Sequence, residues 1–163
     1  MNCFKTSEKK GEYVVEGTVT ANEIVRMAKQ LLNRRFAKGR AISVPGEAVN
    51  FLSMKLSHLE HEVFSLIFMD NTHKIIQYEE MFRGTIDSAS VYPREVVKRA
   101  LQLNAAAVIL AHNHPSGNCE PSKSDEHITQ RLVDALKLVD IRVLDHVVIG
   151  GDQNVSMAER GMI

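Results

Sequence analysis

Residues 105–125 read AAAVILAHNHPSGNCEPSKSD. Ala105 to Ala111 is small and apolar, with Val108, Ile109 and Leu110 in succession, the continuous pattern of a strand buried on both faces rather than one alternating between core and solvent. It turns polar at once. His112 and His114 are one residue apart, and in an extended chain such positions point to the same side, so both imidazoles can reach one point. Pro115, Ser116, Gly117, Pro121 and Ser122 then make a turn-rich loop that lets the chain bend back on itself. After ten intervening residues Asp125 opens a helix predicted from about Ser124 to Leu138 and buried through Ile128, Leu132, Val133 and Leu136. Two imidazole nitrogens and one carboxylate oxygen suit a borderline-soft Zn²⁺. Three protein ligands leave a fourth position for water, the arrangement of catalytic rather than structural zinc.

Spacing alone leaves a second reading equally open. His-x-His is common, Ser122-x-x-Asp125 is also a capping box, and an aspartate near a helix start is favoured by the helix dipole without any metal. The contiguous His112-Asn113-His114 does not resemble the HNH nucleases, whose lettered residues are dispersed over a longer unit. Cys119 lies in the same loop and is read as a bystander rather than a ligand.

The stretch His112-Asn113-His114-Pro115-Ser116-Gly117, followed by Pro121-Ser122 and Asp125, resembles the metal-binding motif of the JAMM (MPN+) metalloproteases in the version carried by the bacterial RadC family. The flanking EEMFRGTIDSASVYPREVVKRALQLNAAAVILAHNHPSG and the closing VDIRVLDHVVIGGDQNVSMAERGMI are similar to that family nearly residue by residue. The resemblance runs from about Pro45 to Ile163. Before Pro45 it fades, and the helix-hairpin-helix segment at the front of longer RadC proteins is not recognisable; the chain is expected to be a short RadC-like form, with an N-terminal extension over residues 1–44 and the catalytic-type domain over 45–163. The resemblance implies one Zn²⁺ per chain on His112, His114 and Asp125. A glutamate stands at the start of the equivalent strand in the JAMM pattern, and Glu62 matches it as the group that takes the proton from the attacking water and returns it to the leaving amine. Sequence alone leaves Glu60, Glu79 and Glu80 open beside it. Ser122 matches the serine that steadies the oxyanion of a tetrahedral intermediate, although a helix cap would put a serine there too.

The implied activity is metallopeptidase or isopeptidase cleavage of an amide bond in an unknown protein or peptide. The family's DNA-repair label supplies an alternative: a protein of repair or of a mobile element that binds or acts on nucleic acid, its metal serving structure or phosphodiester chemistry. An inactive scaffold ranks last, because every motif ligand is present. His146, after Asp145, could partner a ligand from behind or be simply packed. His58, His61, His73 and His127 are read as surface residues, His61 with a place beside the cleft.

The 163 residues fit a core of ordinary size, and 20 basic against 20 acidic side chains create no global field toward nucleic acid or membrane. Cys3 and Cys119 are too few for a disulfide framework. With no apolar run long enough to span a bilayer and no signal-peptide core in MNCFKTSEKKGEYVV, the expectation is a cytoplasmic protein without membrane association.

Working outward, Tyr13 to Val15 could form a short strand, and Ala21 to Phe36 has helical spacing with Thr20 as its cap. That helix opens a basic run, Arg26, Lys29, Arg34, Arg35, Lys38 and Arg40, with no acid between. Such a run is either a solvated face or a patch for nucleic-acid phosphates. Pro45 suits the first turn of a helix through Leu59 that buries Val49, Leu52 and Leu56. Val63 to Met69 is an apolar strand turned at Asp70 to His73 into Lys74 to Phe82, a hairpin. An extended stretch is expected over Thr85 to Val91, then a helix from Pro93 to Leu103 with Val96, Val97, Ala100 and Leu101 on one face. Ile141 to Ile149 is the next strand, and Val155 and Met157 could add another. Strands mixed with helices predict an α/β fold, a mixed curved sheet packed with helices; the resemblance specifies the α-β-α sandwich of the JAMM/MPN and cytidine-deaminase-like type.

Overall fold

The computed structural model describes residues 3–9, 11–84 and 90–163, and the chain divides into two compact units, residues 1–37 and 38–163. In the first unit β1 (Phe4–Thr6) pairs antiparallel with β2 (Tyr13–Val15). Tyr13–Val15 was visible as a strand; its partner has one apolar residue and gives no periodic signal. α1 (Ala21–Arg35) starts at a reciprocal cap in which Thr20 Oγ1 accepts from the Glu23 amide and the Glu23 carboxylate accepts from the Thr20 amide. None of its residues is buried, and Ile24 and Val25 are half exposed.

The second unit begins with α2 (Pro45–Leu56), whose first-turn proline gives up an amide that has no helical partner anyway. There follow the hairpin β3 (Val63–Met69) and β4 (Ile75–Arg83), α3 (Pro93–Gln102), β5 (Ala107–Asn113), α4 (Lys123–Lys137), β6 (Arg142–Gly150) and β7 (Gln153–Ser156). The sheet order is β4-β3-β5-β6-β7. Among the described strands only β5 and β6 run parallel, with α4 as the crossover between them. β3 and β5 are buried along their whole lengths, as continuous apolar runs require.

Alternation along these strands separates two layers of core. Phe64, Leu66 and Phe68 of β3 join Val108 and Leu110 of β5 under Val96 and Ala100 of α3 and Leu132 and Leu136 of α4. On the opposite face, Phe51 of α2 packs edge-on against Tyr78, the β4 partner of Ile67. Helices thus cover both faces, and the sheet is the mixed, helix-packed one expected.

Several limits differ from the sequence reading. α2 stops at Leu56 rather than Leu59: the Ser57 amide still bonds the Ser53 carbonyl, but the Leu59 amide bonds the Leu56 carbonyl, three residues back, in a closing turn. β5 runs on to Asn113, since His112 and Asn113 still pair with Val148 and Ile149 of β6. The buried stripe of α4 is centred on Asp125, Thr129, Leu132 and Leu136, with two polar residues where apolar spacing points to Ile128 and Val133. Leu101 of α3 is exposed, leaving Val96 and Ala100 as the buried pair. Most of the extended stretch expected over Thr85 to Val91, residues 85–89, lies outside the described residues. No helix among the described residues is long and apolar enough to cross a membrane.

Candidate metal centre

The carboxyl end of β5 delivers His112 and His114 to the mouth of the sheet, beside the first turn of α4, where crossover geometry concentrates ligand sites. His112 Nε2 lies 3.0 Å from His114 Nε2 and 3.2 Å from Asp125 Oδ1, and His114 Nε2 lies 3.4 Å from Asp125 Oδ2. Zinc bonds of about 2.0–2.1 Å put tetrahedral neighbours roughly 3.3 Å apart. The three side chains therefore stand at the corners such an ion needs.

A backbone carbonyl can only accept, so His114 Nδ1, 2.7 Å from the Asn118 oxygen, carries that ring's hydrogen and leaves Nε2 bare when the ring is neutral. Gly117, at φ 83°, makes the turn that brings Asn118 there, with its amide on the His114 carbonyl. His112 Nδ1 lies 2.8 Å from Nε2 of the fully buried His146. The Phe64 ring stacks on His112, its cross-strand partner.

Asp125 is gripped from its own helix cap. Ser122 donates from its amide (2.7 Å) and its hydroxyl (2.6 Å) to Asp125 Oδ2, while its Oγ accepts from the Asp125 amide. The capping box and the candidate ligand cluster thus share Asp125. Burial pushes the Asp125 carboxyl up, but the His112 and His114 rings, which donate to it from Nε2 when protonated, and the Ser122 hydroxyl outweigh it and hold the group well below the usual carboxylate range. His114 is raised, first by its bond to Asp125 and further by the Asn118 carbonyl and the charges of Asp125 and Glu62. Burial holds His146 neutral.

Glu62 directly precedes β3, and its charge reaches His114. The other glutamates are engaged elsewhere or face solvent: Glu79 accepts from Arg99 Nε at 2.7 Å, Glu80 pairs with Arg83 at 3.3 Å, and Glu60 is exposed. What holds the Glu62 segment is a residue the sequence reading passed over. Asn113 is buried, its Oδ1 accepts from the Val63 amide at 2.8 Å, and its Nδ2 donates to the His61 carbonyl at 3.0 Å. A polar side chain between the two ligands, at the end of a wholly apolar strand, was the signal for it. Thr129 was missed in the same way: four residues after Asp125, it occupies a buried helix position that an apolar residue would fill.

The remaining polar candidates fall outside the cluster. Cys119 turns its thiol toward Gln153 Oε1 at 3.8 Å, and among the described residues the grouped metal-type side chains are His112, His114 and Asp125. His58 and His127 are exposed, while His61 has a buried Nε2 without a hydrogen-bond partner. Of the basic run, Arg26, Lys29, Arg34 and Arg35 are exposed on α1 in the first unit, and Lys38 and Arg40 are exposed at the start of the second.

The family model of the RadC-like JAB domain matches residues 42–162. The chain belongs to the RadC family. A UPF0758 protein of Vibrio cholerae is 51% identical over 151 residues, covering 93% of this chain and 95% of its own. A second from the same organism is 49% identical, covering 95% and 98%. A UPF0758 protein of Thioalkalivibrio sulfidiphilus is 58% identical over 86% of this chain, which spans only 62% of that longer relative. RadC membership and the convergent His112, His114 and Asp125 together support a metal-dependent hydrolase, with a cluster consistent with a JAB-type metal site.

Proposed function

We propose that this RadC-family chain is a zinc-dependent hydrolase that cleaves amide bonds, peptide or isopeptide, in a protein or peptide substrate. One observation carries the reading: two imidazole Nε2 atoms 3.0 Å apart, each within 3.2–3.4 Å of an oxygen of the Asp125 carboxylate. When bound, zinc supplies Lewis acidity that acidifies a water and polarises a carbonyl. His112, His114 and Asp125 are the residues that would hold it. Glu62 accepts the proton of the attacking water and returns it to the departing nitrogen, a task for an accessible carboxylate beside the ligands. Ser122 donates to the developing oxyanion, turning its hydroxyl hydrogen from Asp125 Oδ2 as negative charge builds on the substrate.

Metal analysis tests the reading. The protein should carry about one zinc per chain, lost in His112→Ala and Asp125→Ala, because each substitution removes one of the three side chains that would hold it. Glu62→Gln should keep the metal and lose hydrolysis. Metal-free wild-type protein that takes up no zinc overturns the site, and loss of zinc in Glu62→Gln makes Glu62 a ligand instead of the proton carrier. Comparing cellular proteins trimmed by wild type but not by Glu62→Gln identifies the substrate.

A second reading, contact with nucleic acid, is favoured by the exposure of Arg26, Lys29, Arg34, Arg35, Lys38 and Arg40. It predicts salt-sensitive binding whose slope against log salt shrinks in Arg34→Ala/Arg35→Ala, each lost phosphate contact removing roughly one unit. Binding unchanged by that pair sinks it.

A further inference from the structure

Behind His112 runs a buried polar chain. Thr129 Oγ1 lies 2.5 Å from the Asp125 carbonyl and 2.5 Å from His146 Nδ1, and His146 Nε2 lies 2.8 Å from His112 Nδ1. Thr129 is 1% exposed, His146 0% and His112 1%, so water does not complete these bonds. Each member comes from a different element: the Thr129 hydroxyl from the second turn of α4, His146 from the middle of β6, His112 from the end of β5.

Only one direction of the chain leaves His112 Nε2 free for a cation. In that direction the single hydroxyl hydrogen of Thr129 goes to the Asp125 carbonyl, the usual back-bond of a helical threonine. The hydroxyl lone pair then faces His146 Nδ1, which must carry that ring's hydrogen. His146 Nε2 is left as an acceptor, and His112 Nδ1 donates to it. This leaves His112 Nε2 bare, pointing at Asp125 Oδ1 and His114 Nε2. Run backwards, the chain would leave the Asp125 carbonyl with only its helical bond from the Thr129 amide. It would also put a hydrogen on His112 Nε2, at the point where the three ligand atoms meet.

We infer that Thr129 and His146 are positioning residues that set the tautomer of His112, so that its Nε2 is free to bind a divalent cation. The inference rests on the zinc-site reading above. It assigns a purpose to two buried polar residues, one of them facing the sheet from a helix stripe that is otherwise apolar beyond the first turn. It also ties the two ends of the site together, because the same hydroxyl holds the backbone of Asp125, a second ligand, and starts the chain that ends on His112.

The test compares wild type, Thr129→Val, which keeps the shape and removes the hydroxyl, and Thr129→Ser, which restores it. Two quantities are read: the zinc dissociation constant, by competition with a chromophoric chelator, and the imidazole tautomers of the metal-free protein, by long-range ¹H–¹⁵N correlation. Thr129→Val should bind zinc roughly 10–100-fold more weakly and shift His112 from the Nδ1–H toward the Nε2–H form. Thr129→Ser should recover both. Should Thr129→Val not fold, Thr129→Ala removes the same hydroxyl with less bulk and carries the same expectations. A folded hydroxyl-free variant with wild-type zinc affinity, or with His112 still in the Nδ1–H form, overturns the inference. Absence of zinc binding by wild type itself overturns the zinc-site reading instead, and the tautomer shift then still decides whether Thr129 positions His112.

Discussion

At the residue scale, Ser122 and Asp125 show one pair of side chains serving structure and chemistry together. The hydroxyl that caps α4 also donates to the Asp125 oxygen, and its amide donates there too. Ser122→Ala should therefore do two measurable things. Losing the cap should cost about 0.5–2 kcal/mol in a urea melt, and freeing Asp125 to rotate should weaken zinc binding. An unchanged melt with weakened zinc would show that the helix does not need this cap. Asp70 offers a pH-dependent counterpart. Its carboxylate accepts from the Lys74 amide and then from the Thr72 hydroxyl and amide, which holds its pKa below the usual value. The stabilisation is present above the ordinary carboxylate value of about 4 and fades as pH falls through the lower folded value. Asp70→Asn should melt below wild type at neutral pH, the gap closing on acidification; a gap that is constant with pH would contradict the charge-based account.

At the element scale, the site depends on two places where chain segments meet without a regular ladder. Asn113 clamps the segment entering β3 by binding the Val63 amide and the His61 carbonyl. Asn113→Ala would leave these buried groups unpaired at about 1–3 kcal/mol each. The expected result is a clearly lowered melting midpoint and, because Glu62 sits inside the clamped segment, lost hydrolysis with zinc retained. Loss of zinc along with activity would place the clamp's effect on the histidines. Gly150, at the end of β6, faces the ligand loop so closely that an added Cβ would sit 2.5 Å from the Cys119 amide nitrogen and 2.6 Å from the Gly117 oxygen. Gly150→Ala should push that loop away, removing the Asn118 carbonyl from His114 and costing about 1–3 kcal/mol. Calorimetry with and without zinc checks both effects.

At the scale of the whole molecule, the proposed ligands join β5 to α4, two elements that flank the crossover into the parallel pair. An ion that binds the folded chain and not the unfolded one stabilises by mass action, about 2.7 kcal/mol at 100 times its dissociation constant. Chelation should lower the melting temperature of wild type and leave that of Asp125→Ala unmoved. A wild-type melt indifferent to chelator and to added zinc would count against a metal that is coupled to folding.

How much of this was legible beforehand follows the range of the interactions. The sequence by itself determined what is local: buried runs in β3 and β5, the same-side projection of His112 and His114, the cap formed by Ser122 and Asp125, and proline starts for α2 and α3. These depend on backbone period and on neighbours a turn apart, which residue order encodes directly. The tertiary structure alone decided which glutamate's charge reaches His114, that Asn113 would hold a segment 50 residues away, and that His146 would meet His112 across 34 residues. Sheet register brings those groups together, and it is fixed by the packing of all five strands rather than by any one stretch of chain.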